Sequence, residues 1–291
     1  MYYGHEETRQ LSQEALLDVA MHIVHAVQKA PQISGQLEMK TAVVSGEELL
    51  PIIELLEEVG EDEMVLWMDG MSYRTAYEEG NPPVLLLLGA DLSKSKSNWD
   101  CGACGFPSCG EFNRYSKLNY GLGLSSFGPS CMLNAIDYGI ACDWACAAAS
   151  KYDIENRIHI SVGLCALYLA YLDDVSCIAG LSIGPVKEFW YYNRPIWTRK
   201  YDKEFNRSFF LETMRTQYPM MFQSFAGNAH PPIKDYDKWW KKDAQDFVKL
   251  YPDPEINAVK DGLVGKIMSI VPDKRARVEE FKARAKEEGR G

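Results

Sequence analysis

Long apolar runs are missing from this chain. The most hydrophobic stretches, residues 84–90 and 163–172, fall well short of the roughly 20 residues that a membrane-spanning helix needs. No membrane span is expected. Residues 1–11 are polar and lack the apolar core of a signal peptide, so the expected location is cytoplasmic. Positive charge is in short supply: 31 Lys and Arg face 41 Asp and Glu, a net charge of -10. That balance argues against a nucleic-acid partner and against anionic membrane surfaces. Eight cysteines in 291 residues are too sparse for a disulfide scaffold and read better as ligands plus buried thiols. The five histidines (His5, His22, His25, His159 and His230) form no ligand spacing with carboxylates, and Gly-x-Ser-x-Gly is absent, so hydrolase chemistry has no support. No internal repeat or low-complexity tract is visible.

Hydrophobic residues make up 46% and charged residues 25%, which is ordinary globular composition. Residues 12–29 carry apolar side chains at Leu16, Ala20, Ile23, Ala26 and Val27, a helical stripe that stops before Pro31. Residues 40–44 predict a strand. Ser45-Gly-Glu-Glu48 predicts a capping box in front of a helix over 49–59, with Pro51 in its first turn and Gly60 as its stop. Residues 84–88 read as a buried central strand. Residues 132–150 predict an alanine-rich helix, 157–172 a second helix, and 175–192 contain a further strand. Composition changes near Pro195, after which Asp253-Pro254 and Pro272-Asp273 read as helix starts and Gly289 as a stop.

Residues 101–109 read Cys-Gly-Ala-Cys-Gly-Phe-Pro-Ser-Cys, and Cys131 follows in Gly128-Pro-Ser-Cys131. The spacing is C-x2-C-x4-C-x21-C. Thiolates so arranged select zinc or an iron–sulfur cluster over harder metals. A zinc site normally pairs two close couples, and only one cysteine stands in the second half. A 2Fe-2S centre is the stronger rival, because the motif mirrors the plant-type spacing. A 4Fe-4S cluster would need its negative charge offset. Gly102, Gly105 and Gly110 are expected to let the loop present backbone amides to it, with the helix opening at Cys131 adding its positive end. Arg114 and Lys117 read as solvated.

The segment Asp100-Cys-Gly-Ala-Cys-Gly-Phe-Pro-Ser-Cys109 resembles the 4Fe-4S segment of electron-transfer subunits and corrinoid iron–sulfur proteins. Gly128-Pro-Ser-Cys131, Ile136-Asp-Tyr-Gly-Ile-Ala141, Glu155-Asn-Arg-Ile158, Ser161-Val-Gly163, Leu181-Ser182, Lys187 and Asn193-Arg194 together resemble a family of uncharacterised prokaryotic proteins with a ferredoxin-like cysteine domain. That resemblance implies a 4Fe-4S cluster held by Cys101, Cys104, Cys109 and Cys131. The N-terminal part, Ala26-Val-Gln-Lys-Ala-Pro31 followed by Ser34-Gly35 and residues 39–44, is similar to flavin-dependent nitroreductases. Their fold implies an α+β sheet flanked by helices, here carrying an inserted iron–sulfur loop, and a homodimer with FMN at its interface. Arg9, Gln32 and Ser34 are the polar residues in the corresponding places.

Other residues carry weaker signals. Asp137 is the candidate for proton chemistry, ranked above Asp143, and Arg157 is the candidate anchor for a phosphate or carboxylate, with Lys187 and Arg194 as similar cases. Cys142 and Cys146 read as buried small hydrophobes. Gly121-Leu-Gly123 reads as a turn. Trp239-Trp240 among lysines reads as a packing or subunit-contact segment. The expectation is a 1–195 nitroreductase-like domain whose iron–sulfur loop spans about 98–131, followed by a mostly helical extension over 196–291. The expected function is an iron–sulfur redox protein of anaerobic metabolism, an oxidoreductase or electron-transfer subunit. It would exchange electrons with a redox partner protein or small-molecule acceptor. The alternative is a non-catalytic subunit of a larger complex whose cluster is structural.

Overall fold

The computed structural model describes residues 4–60, 64–121, 126–185 and 254–290. Lys187, Arg194, Gly123, Trp239 and Trp240 lie outside these residues, and the side chain of Arg9 is likewise outside them.

The sheet is built around β2 (Val84–Ala90), every residue of which is buried. An unbroken apolar run is stable in a strand only when both faces are covered. Here they are. Leu85 and Leu87 point into one core, while Val84, Leu86, Leu88 and Ala90 point into the other. Each large side chain so buried contributes about 1.5–3 kcal/mol. β1 (Lys40–Val44) pairs antiparallel with β2, β2 with β4 (Cys177–Ile183), and β4 with β3 (Asn156–His159), giving the order β1-β2-β4-β3. The architecture is α+β, with helices on both faces of an antiparallel sheet.

On one face pack α2 (Leu50–Gly60), α3 (Met64–Glu78) and α6 (Ile160–Tyr168); on the other pack α1 (His5–Gln28) and α5 (Met132–Ser150). Leu16, Ala20, Ile23 and Val27 form the buried stripe of α1, as their spacing predicts, and His22 and His25 lie exposed. α6 sits unusually close to the sheet. A Cβ added to Gly163 would meet the carbonyl oxygen of Ile178 at 2.0 Å, so only glycine permits this approach.

α4 (Cys109–Leu118) follows the cysteine loop, and α7 (Pro254–Glu287) is the last described element. From Leu263 onward α7 belongs to the same compact unit as the sheet. Its Ile267, Val271 and Val278 enter the core beside α2 and α6. Lys274 reaches Glu58 at 2.6 Å, and Arg277 reaches Glu54 at 2.6 Å.

Three local expectations are corrected. Residues 157–172 are not one helix: Asn156–His159 is a strand held against Ile183–Gly180, and α6 begins only at Ile160. Pairing with β4 outweighs the apolar pattern that suggested a continuous helix. Pro272 does not start a helix but lies inside α7, where burial of Ile267, Val271 and Val278 on both sides of it holds the chain helical despite the lost N–H. The capping box at Ser45 does not form. Ser45 makes no side-chain cap, and Gly46–Leu49 is a 3-10 turn leading into α2.

Candidate metal centre

β2 ends at Ala90 on the edge of the candidate site. The Ser176 amide donates to the Ala90 carbonyl (3.0 Å), and the Leu92 amide donates to Ser176 Oγ (2.8 Å), so the chain leaves the sheet in a set direction. The Cys131 amide then donates to the Leu92 carbonyl (2.7 Å), which brings the start of α5 to the start of the cysteine loop. Cys131 is the N-cap residue of α5, and Cys109 is the first residue of α4.

The loop folds back on itself through left-handed residues: Asn98 (φ 52°), Asp100 (φ 48°), Gly102 (φ 70°) and Gly105 (φ 85°). Glycine suits the last two because other residues adopt this region at a cost. Asp100 is held there by an interaction of its own, its Oδ1 accepting the Cys109 amide at 2.7 Å. Ser108 caps α4 by accepting the Glu111 amide at 3.2 Å.

Cys101, Cys104, Cys109 and Cys131 all line one recess that opens to solvent. They are graded in exposure: Cys101 exposed, Cys104 half-buried, Cys109 and Cys131 buried. Ser95, Ser97, Ser108, Phe106, Met132 and Leu133 share the lining. Among the described residues, no three His, Cys, Asp or Glu side chains form a ready-made site for a single metal ion. The donor set is four soft sulfurs lining one recess, the donor type that an iron–sulfur group takes.

One feature of the expected charge compensation differs. The Cys109 amide is committed to Asp100, the Cys131 amide to Leu92, and the Gly105 amide to the Gly102 carbonyl at 2.9 Å. Gly110 lies within α4 and has no special backbone role. A hydroxyl supplies a contact to sulfur instead: Ser95 Oγ donates to Cys109 Sγ at 3.4 Å. Ser95, Asp100 and Ser108 were not singled out by sequence reasoning. Ser108-Cys-Gly-Glu111 has the capping-box spacing, and that signal marks the start of α4.

The remaining candidates lie elsewhere. Asp137 is fully buried on α5, and its carboxylate accepts from the Ile33 amide (2.5 Å), the Ser34 amide (3.0 Å) and Ser34 Oγ (2.5 Å). Arg157 is half-buried on β3, opposite Ser182, and does not line the recess. Arg114 and Lys117 are exposed. Cys142 and Cys146 sit in the α1–α5 core, and burial pushes their thiols up to about 12 and about 11. Buried Cys165 is shifted upward for the same reason. These thiols stay protonated near neutrality and are poor ligands as they stand. The family-like residues Ser161 and Ser182 belong to a buried polar set on the other face of the sheet. There Ser161 donates to Asp69, Tyr73 meets Ser182, and His159 Nδ1 lies 3.5 Å from Asp69.

Residues 127–194 match a protein family described as "Uncharacterized protein containing a ferredoxin domain" (DUF2148). The matched segment includes Cys131 and the residues that form β3, α6 and β4, but not Cys101, Cys104 or Cys109. An uncharacterised protein of Archaeoglobus fulgidus is 27% identical over 181 residues, covering 62% of this chain and 92% of that protein. No solved structure matches the chain. No helix among the described residues is long and apolar enough to cross a membrane.

Proposed function

We propose that this protein transfers electrons through one 4Fe-4S cluster held by Cys101, Cys104, Cys109 and Cys131. The observation that carries the reading is the convergence of all four cysteines on one recess, although Cys131 is separated from Cys109 by a whole helix and a loop. Similarity to a ferredoxin-domain family supports it. When bound, such a cluster supplies a one-electron couple whose potential is set by burial and by hydrogen bonds to sulfur. The protein's own part is to hold Cys109 and Cys131 in its interior, with Cys104 half-buried and Cys101 exposed. The exposed Cys101 side gives an electron a short way out to a partner protein or a small acceptor. The setting we infer is cytoplasmic and anaerobic.

The nitroreductase-like reading of the scaffold and its homodimer belong to the same proposal, resting on the α+β architecture and on α1, which ends at Gln28 just ahead of Ala30-Pro31. FMN fits less well. The Gln32 amide is committed to both the amide and the carbonyl of Leu37, and Ser34 is committed to Asp137. No step is therefore assigned to a flavin. A structural role for the cluster is the second reading, favoured by one fact: the two buried cysteines open α4 and α5, so a cluster would tie those helices together.

Protein purified without oxygen is expected to be brown, to contain iron and acid-labile sulfide in equal amounts, and to absorb broadly near ~400 nm. Bleaching by dithionite supports electron transfer; a colour that resists reduction supports the structural role. Cys109→Ser is expected to lose most of the iron. Native iron content in that variant would remove Cys109 from the ligand set, and zinc in the native protein would end the proposal.

A further inference from the structure

We propose that Ser95 tunes the reduction potential of the iron–sulfur site by hydrogen-bonding the sulfur of Cys109. The inference rests on the cluster reading above and goes beyond the ligands to a residue that acts through one of them. Reduction adds one electron and moves no proton, so the added negative charge must be met by dipoles already in place. The amides of Cys109, Cys131 and Gly105 point to oxygen acceptors. The Ser95 hydroxyl points to sulfur, at 3.4 Å.

Its placement is rigid. Ser95 is 3% exposed, and its backbone is clamped from both sides by one side chain: its amide donates to Asn113 Oδ1 (2.7 Å) and its carbonyl accepts from Asn113 Nδ2 (2.9 Å). Asn113 is on α4, the helix that begins with Cys109, so donor and sulfur are fixed to the same element. The next turn of the loop adds Ser97, whose hydroxyl is 3.1 Å from Ser95 Oγ. With the Ser95 hydrogen directed at sulfur, Ser97 donates to Ser95, and the second bond polarises the first. A donor on a ligating thiolate stabilises the more negative, reduced state more than the oxidised one, so it raises the potential.

The test compares Ser95→Thr with Ser95→Val, two side chains of like shape that differ by one hydroxyl. Iron and sulfide are first measured in the native protein; zinc or an empty site there would count against the cluster reading itself, apart from any role of Ser95. Loaded proteins are then titrated electrochemically and followed by the EPR signal of the reduced state. Ser95→Thr is expected to keep the native midpoint potential. Ser95→Val is expected to shift it to a more negative value, so that the reduced fraction at a fixed applied potential near the native midpoint falls several-fold. A fully loaded Ser95→Val protein with the native potential overturns the proposal. If Ser95→Val does not take up iron, the native protein decides by resonance Raman spectroscopy. Transfer to heavy water should shift its iron–thiolate stretching bands, and unshifted bands overturn the assignment.

Discussion

Asp137 shows how burial and hydrogen bonding decide a residue's role. A carboxylate with no exposed surface that accepts three hydrogen bonds from residues 33 and 34 is a tie between α5 and the turn after α1. All of those partners are donors, so the site asks for an acceptor only. Asn in its place turns an NH2 group toward backbone N–H groups. Asp137→Asn is therefore expected to lower the free energy of unfolding by about 3 kcal/mol, measured by denaturant titration, since hydrogen bonds to charged groups are worth roughly 1.5–3 kcal/mol each. If the carboxylate instead serves proton chemistry, stability would hold while turnover fell. The same reasoning separates the two cysteine populations. Those in the recess are spread from buried to exposed, whereas Cys142, Cys146 and Cys165 are held as thiols by burial.

Among the described elements, α6 lies close against β4. Gly163 lies over the Ile178–Ala179 peptide, and a Cβ there would come within 2.9 Å of the Ala179 Cα as well as striking the Ile178 carbonyl oxygen. Backbone atoms cannot swing aside as a side-chain tip can. Gly163→Ala is expected to cost about 3 kcal/mol, at the upper end for overpacking, and to lower the thermal midpoint accordingly. An unchanged midpoint would show that α6 rides higher on the sheet than described. The glycine appears in the Ser161-Val-Gly163 segment, where sequence alone marks it as part of a resemblance. The reason for it is visible only once α6 is laid on β4. The helix over 132–150 and the strand over 40–44 were legible because their signals are local: small-residue helix formers in one case, a short β-branched run in the other. The split between β3 and α6 was not, because pairing of Asn156–His159 with Ile183–Gly180 is a contact between distant positions.

At the scale of the molecule, the C-terminal helix is the informative part. An extension devoted to partners would leave its apolar residues outward, but Ile267 has no exposed surface and joins the core beside α2 and α6. Ile267→Ala is expected to cost about 3 kcal/mol, within the roughly 2–5 kcal/mol range for such truncations, and to shift the main unfolding transition as a whole. If it altered only a separate minor transition, α7 would be an independent arm. Lys274, Arg277, Lys282 and Arg284 face Glu58, Glu54, Asp173 and Glu47 across the same contact, so the charge pattern agrees with the apolar one. The more exposed pairs of Lys282 and Arg284 add little energy individually, whereas Lys274 is itself buried.

The amino-acid sequence by itself determined the donor chemistry on offer in the cysteine loop and the helices α1, α2 and α5. Soft thiolates at C-x2-C-x4-C-x21-C state a ligand preference whatever the fold, and helical periodicity is a property of neighbours in the chain. Tertiary structure decided what depends on distant residues meeting. The Cys131 amide finds the Leu92 carbonyl and closes the recess; Asn113 holds Ser95 against Cys109; Ile267 and Val271 keep α7 helical through Pro272. The physical reason is common to all three. Each is a single bond or a buried side chain whose partner lies elsewhere in the chain, and spacing along a sequence carries no record of it.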